Sequence, residues 1–130
     1  SVVYLDSSAI VKLAVSEPES GALRQYLAAH ADRVSSGLAR VEVLRALQRT
    51  DASDATVLHA EQIFERIALV ALDEPVLRAA ARLPPKSLRS LDAVHLATAL
   101  SLDGLEAFVT YDRRLHAAAA AVGVAVAAPR

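Results

Sequence analysis

The chain has 130 residues, enough for one domain with a buried core. Hydrophobic residues make up 54% of it, which excludes disorder, and 14 basic against 15 acidic residues leave a net charge of −1, so no overall basic field marks a nucleic-acid binder. Cysteine is absent, which excludes disulfides and thiol chemistry, and no apolar run approaches the roughly 20 residues of a membrane span, so the cytoplasm is the expected location.

In chain order, the continuously apolar run Val2-Val3-Tyr4-Leu5 predicts a short buried strand, and Ser7-Ser8 opens a helix through Ala9 to Leu13. Pro18 suits the first turn of a second helix through Leu23 and Leu27 to about His30. Val34-Ser35 is a short strand, followed by a helix from about Leu38 to Arg49. Ser53 caps a helix from Asp54 to about Arg66, and Ala68 to Leu72 forms the next strand. Glu74-Pro75 starts a helix to about Leu83. The consecutive prolines of Pro84-Pro85-Lys86-Ser87 then impose a loop. A helix from Ser90 to Leu102 ends at Asp103-Gly104, ahead of a strand from Ala107 to Thr110. Arg113 to Val122 is helical with Gly123 as its stop, and Val124 to Ala127 is a last short strand. Strands alternating with helices imply an α/β fold, a mainly parallel sheet covered on both faces, with residues 1–130 in a single domain.

Four carboxylates stand where such a fold can bring them together: Asp6, Glu42, Asp92 and Asp112. Ligands of parallel sheets bind beyond the carboxyl ends of the strands, and Asp6 and Asp112 each follow a strand. Both also precede helices, and an N-cap would explain either one. Asp73 has the same local setting but is read as a cap only, because an edge strand would keep it about 10 Å or more from the centre at ~4.8 Å per strand. Asp92 falls in the first turn of its helix if Ser90 is the cap, where the helix dipole favours a carboxylate by roughly 0.3–1 kcal/mol. Glu42 adjoins Arg45, and a solvated ion pair would account for it. His95 shares a face with Asp92 but has no second histidine at ligand spacing, so it reads as packed or supporting rather than ligating. Thr110, two residues before Asp112, puts a hydroxyl beside the acids or serves only the strand. Two unit charges ~5 Å apart at an effective dielectric of ~20 repel by about 3 kcal/mol. Converging acids therefore need protons or a divalent cation.

Taken together, Val3-Tyr4-Leu5-Asp6-Ser7-Ser8-Ala9-Ile10, then Glu42, then Ser90-Leu91-Asp92-Ala93-Val94-His95-Leu96-Ala97-Thr98-Ala99, then Val109-Thr110-Tyr111-Asp112 resembles the PIN-domain family in order and spacing. The size of the chain makes it similar to the ribonuclease toxins of VapBC-type toxin–antitoxin pairs. The resemblance implies a three-layer α/β/α fold with strand order 3-2-1-4-5, and Asp6, Glu42, Asp92 and Asp112 as the acidic quartet supported by Thr110. It implies Mg2+ or Mn2+ as cofactor, with Asp6 and Asp92 the leading metal ligands and Asp112 and Glu42 binding directly, through water or at a second metal. It implies hydrolysis of RNA phosphodiester bonds, a cognate antitoxin as protein partner and a homodimer. Ser7 and Ser8 stand where many members have Thr and Asn, which puts the hydrogen bond of that Asn in question at Ser8.

Oxygen ligands suit these hard cations, and the phosphates need positive charge nearby: Arg82, Lys86, Arg89, Arg113 and Arg114 are the candidates. Ile10, Leu13, Leu23 and Leu27 are either core or partner contacts. A phosphatase of the haloacid-dehalogenase type would want a second aspartate where Ser8 stands. A catalytically silent PIN-like module that binds RNA or protein is the other alternative.

Overall fold

The computed structural model describes residues 1–130. Five strands, β1 (Val2–Leu5), β2 (Arg33–Ser36), β3 (Ala68–Val70), β4 (Leu105–Val109) and β5 (Val126–Ala127), form one sheet in the order β3-β2-β1-β4-β5. Every pairing is parallel, so the sheet is wholly rather than mainly parallel. Seven helices connect the strands: α1 (Ser7–Ala14), α2 (Ser20–Ala28), α3 (Leu38–Arg49), α4 (Asp54–Phe64), α5 (Glu74–Arg82), α6 (Ser90–Leu100) and α7 (Arg113–Ala121).

The alternation along β1 sets the three layers, because successive strand side chains point to opposite faces. Val3 and Leu5 face a core built with Ile10 and Leu13 of α1, Leu23 and Leu27 of α2, Val43 and Leu47 of α3 and Phe64 of α4. Tyr4 faces the other way, onto Phe108 of β4, Leu96 of α6 and Leu115 of α7. Tyr4 and Phe108 stack with ring centroids 5.2 Å apart. Ile10, Leu13, Leu23 and Leu27 are all buried, so they belong to the core and are not free for a partner.

Element boundaries move by a few residues from expectation, and two shifts have clear causes. The second helix begins at Ser20, leaving Pro18 in the turn before it. The buried Ser20 hydroxyl donates to the Lys12 carbonyl at 2.6 Å and accepts from the Glu17 N–H at 2.9 Å, which holds that turn outside the helix. β4 starts earlier, at Leu105, because Gly104 takes φ +70° and reverses the chain immediately after the Ser101–Asp103 turn. Gly123, at φ +86°, ends α7 as its position predicted.

The order of connections matters most for the site. From β1 the chain moves outward through β2 to β3, then returns to the other side of β1 for β4 and β5. The reversal lies between β1 and β4, and sheets of this kind hold their ligands in a crevice at the carboxyl ends of the strands at such a point.

Candidate active site

Asp6 and Asp112 enter this crevice from neighbouring strands. Leu5 is in register with Val109, and the Asp6 N–H donates to the Val109 carbonyl at 3.2 Å. Asp6 caps α1 through Oδ1, which accepts from the Ala9 N–H at 3.0 Å and from the Ser8 hydroxyl at 2.7 Å. Its Oδ2 accepts from the Thr110 hydroxyl at 2.6 Å. Thr110 Oγ1 in turn accepts from the Asp112 N–H at 3.0 Å. Asp112 caps α7, with Oδ1 accepting from the Leu115 N–H at 3.0 Å, and its Oδ2 faces Arg89. Each aspartate therefore caps its helix with one oxygen and turns the other away from it, Asp6 to Thr110 and Asp112 to Arg89. Ser8 adds a second cross-link, since its Oγ accepts from the Tyr111 N–H at 3.0 Å.

Asp92 arrives from α6. The helix is capped at Arg89, not at Ser90, which puts Asp92 in its first turn as expected. The Arg89 guanidinium lies 3.3 Å from Asp92 Oδ2 and 3.3 Å from Asp112 Oδ2, bridging the two acids. Arg89 is 66% exposed, so this pairing is worth little to stability. Its effect is to place a protein cation over two of the four acids.

Glu42 comes from α3 by a different route. Its Oε1 accepts from the Ser7 hydroxyl at 2.5 Å and sits 2.6 Å from His95 Nε2. The other ring nitrogen of His95, Nδ1, lies 2.6 Å from the Tyr4 hydroxyl. An ionised Glu42 only accepts hydrogen bonds, so Nε2 carries the hydrogen and, in the neutral ring, Nδ1 takes the Tyr4 O–H. His95 is buried, as its supporting reading required, and Glu42 pairs with it instead of with Arg45. No direct contact joins Glu42 to the three aspartates. His95 Nε2 reaches both Glu42 and, at 3.2 Å, the Ser7 hydroxyl next to Asp6 in the chain.

The charges follow from these contacts. Burial pushes the Asp6 carboxyl up, against the hydrogen bonds from Thr110, Ser8 and the Ala9 N–H. Burial also raises Asp92, the neighbouring Asp112 charge adds to it, and Arg89 opposes both. Glu42 goes the other way: burial would raise it, but the hydrogen bonds from His95 and Ser7 outweigh that and hold it below the usual carboxylate range.

No three His, Asp or Glu side chains stand together as a ready-made metal cage. Mg2+ does not require one, because it keeps several waters and is commonly held by one or two carboxylates. The donor set fits such a cation. Asp6 is 3% exposed, all its hydrogen-bond partners are neutral, and no Lys or Arg pairs with it. An ionised Asp6 thus lacks a full counter-charge, which a bound divalent ion would supply.

Of the five basic candidates, only Arg89 reaches the acids; Arg114 lines a groove beside Asp92, and Arg82 and Lys86 line a separate hollow between α5 and α6. Tyr4 was not among the candidates. Its signal was a lone hydroxyl in an otherwise aliphatic buried strand, which obliges a hydrogen-bond partner. The question over Ser8 is answered by its two bonds, which tie Asp6 to the segment after β4.

Residues 3–121 match the family described as PIN domain. The chain is 49% identical over 130 residues to ribonuclease VapC46 of Mycobacterium tuberculosis, covering 99% of this chain and 98% of that one. Among solved structures, M. tuberculosis VapC20, described as a sarcin-ricin-loop-cleaving toxin, superposes with a TM-score of 0.76 at 16% identity, covering 98% of this chain and 99% of the other. A toxin–antitoxin complex from Klebsiella pneumoniae gives a TM-score of 0.73 at 20% identity, covering 100% of this chain and 98% of its counterpart.

Proposed function

The chain belongs to the PIN-domain family, and from that premise we propose that it is a ribonuclease toxin of a toxin–antitoxin pair, dependent on Mg2+ or Mn2+. The observation that carries the reading is Asp6: a buried carboxylate at the strand-order reversal with no Lys or Arg partner, linked through Thr110 to Asp112, which shares Arg89 with Asp92. Residues 1–130 act as one domain in this reading, in the cytoplasm where RNA is met.

Asp6 and Asp92 would hold the cation, with Asp112 and Glu42 contributing directly or through water. The bound ion supplies a lowered water pKa and neutralises charge developing on the phosphate. Thr110 and Ser8 aim the Asp6 carboxylate by donating to its two oxygens. Glu42, kept ionised by Ser7 and His95, leaves Oε2 free to take a proton from the attacking water or to bind a ligand. Arg89 must leave at least one of its two acids for a cation to share them. Once released, it stands where a phosphate of the substrate can meet it.

Partners follow from the same family membership: a small antitoxin and a second copy of the chain. Val41, Leu58 and Leu91, at 56%, 60% and 49% exposure, are the most exposed of the large apolar side chains available for such contacts.

The test is RNA cleavage by the purified protein. Cleavage should require Mg2+ or Mn2+, stop with a chelator and vanish in Asp6→Asn. Metal-independent cleavage, or RNA binding with no cleavage at all, would refute the reading.

A further inference from the structure

A groove of roughly 580 Å³ opens between the loop that follows α5 and the outer side of α7. Asp92 and Arg89 line it, so it is continuous with the acidic crevice. Its walls are apolar. Pro84, Pro85 and Leu88 form one side, and Ala117 and Ala121, one helical turn apart and both exposed, form the other. Ser87 is a lone hydroxyl in the loop wall, and Arg114 stands on the α7 side. Arg114 makes no ion pair, while both ion pairs of Arg89 go to the site acids.

We propose that this groove is the subsite for a nucleotide adjoining the scissile phosphate, its base held between the prolines and the alanine side of α7 and its phosphate met by Arg114. The proposal rests on the ribonuclease reading above. The volume falls within the range of about 300–1,000 Å³ typical of small-ligand pockets. Apolar walls suit the flat face of a base, a contact open to every base, while the single hydroxyl of Ser87 can read one edge. An unpaired guanidinium at the rim matches a phosphate in charge and in its two-pronged geometry. A larger groove between α2 and α4 also carries free arginines, but its Arg33 starts β2, at the amino end of the sheet and away from the acids.

The test fills the groove without touching a buried residue or an acid: Ala117→Leu with Ala121→Leu, and separately Arg114→Gln and Ser87→Ala. Three quantities are read: KM and kcat for RNA cleavage, affinity for the same RNA in an Asp6→Asn background by fluorescence anisotropy, and base preference at the cut by sequencing of RNA ends. The filled groove should raise KM and Kd by about tenfold, change kcat by less than about threefold and flatten base preference next to the cut. Arg114→Gln should weaken binding by about fivefold and reduce its salt dependence. If the filled protein does not fold, as judged by circular dichroism, the Arg114 and Ser87 variants decide the matter alone. Wild-type KM, Kd and base preference in the variants, with Asp6→Asn still inactive, would overturn the subsite and leave the nuclease standing. Loss of a protein partner with RNA parameters unchanged would overturn it in favour of a docking face. No cleavage by the wild-type protein would remove the ribonuclease reading and the subsite with it.

Discussion

Asp6 and Asp73 each follow a strand of the same sheet and each cap the next helix, Asp6 through the Ala9 N–H at 3.0 Å and Asp73 through the Val76 N–H at 2.9 Å. Locally they are the same device. Asp6 ends a central strand, so its second oxygen meets Thr110 from the neighbouring strand end, and the residue is 3% exposed. Asp73 lies three residues beyond the edge strand β3, is exposed, and makes no further side-chain bond. A capping aspartate gains a second, buried partner through its place in the sheet. The helix it starts is not what decides.

The hardest test of this contrast is asparagine at both positions. Asn caps helices about as well as Asp, so Asp6→Asn should keep its fold while RNA cleavage falls by at least about 100-fold, and Asp73→Asn should match wild type in both. Next comes Thr110→Val, which preserves shape but removes the donor to Asp6 and the acceptor for the Asp112 N–H. It should cost about 1–3 kcal/mol in urea unfolding and lower cleavage about tenfold.

A third test separates the acids by pH in chelated protein. Asp6 and Asp92 are raised above their ordinary value of 3.8, so the stability they leave intact below that value is lost as pH rises through their folded values. Glu42 is lowered from 4.5, so its contribution is present above that value and lost as pH falls through the folded one. Urea unfolding between about pH 4 and pH 7 should show stability declining with rising pH, and Asp6→Asn should flatten the decline. Asp73→Ala closes the series. It should cost about 1 kcal/mol in thermal unfolding and leave cleavage unchanged. A loss of cleavage there would break the contrast.

The existence of the five strands, the Asp73 cap, the buried His95 and the convergence of Asp6, Thr110 and Asp112 were legible in the sequence. They follow from strand order and from side-chain alternation. The pairing of Glu42 with His95 was not, because it depends on where α6 crosses β1 relative to α3. The sequence offers the nearby Arg45 as the obvious partner instead. The bridge from Arg89 to both Asp92 and Asp112 was equally hidden: Asp92 is three residues away, but Asp112 is 23 residues away and meets it only once α6 and α7 are packed. Tyr4 was missed because its hydroxyl matters only on the face that carries α6.

The bond from Thr110 to Asp6 joins residues 104 apart, and β4 must slot in beside β1 for it to form. Contacts this distant in sequence assemble late, after the intervening elements have docked. A growing polypeptide on the ribosome therefore carries Asp6, Glu42 and Asp92 well before the Thr110 clasp that completes their setting.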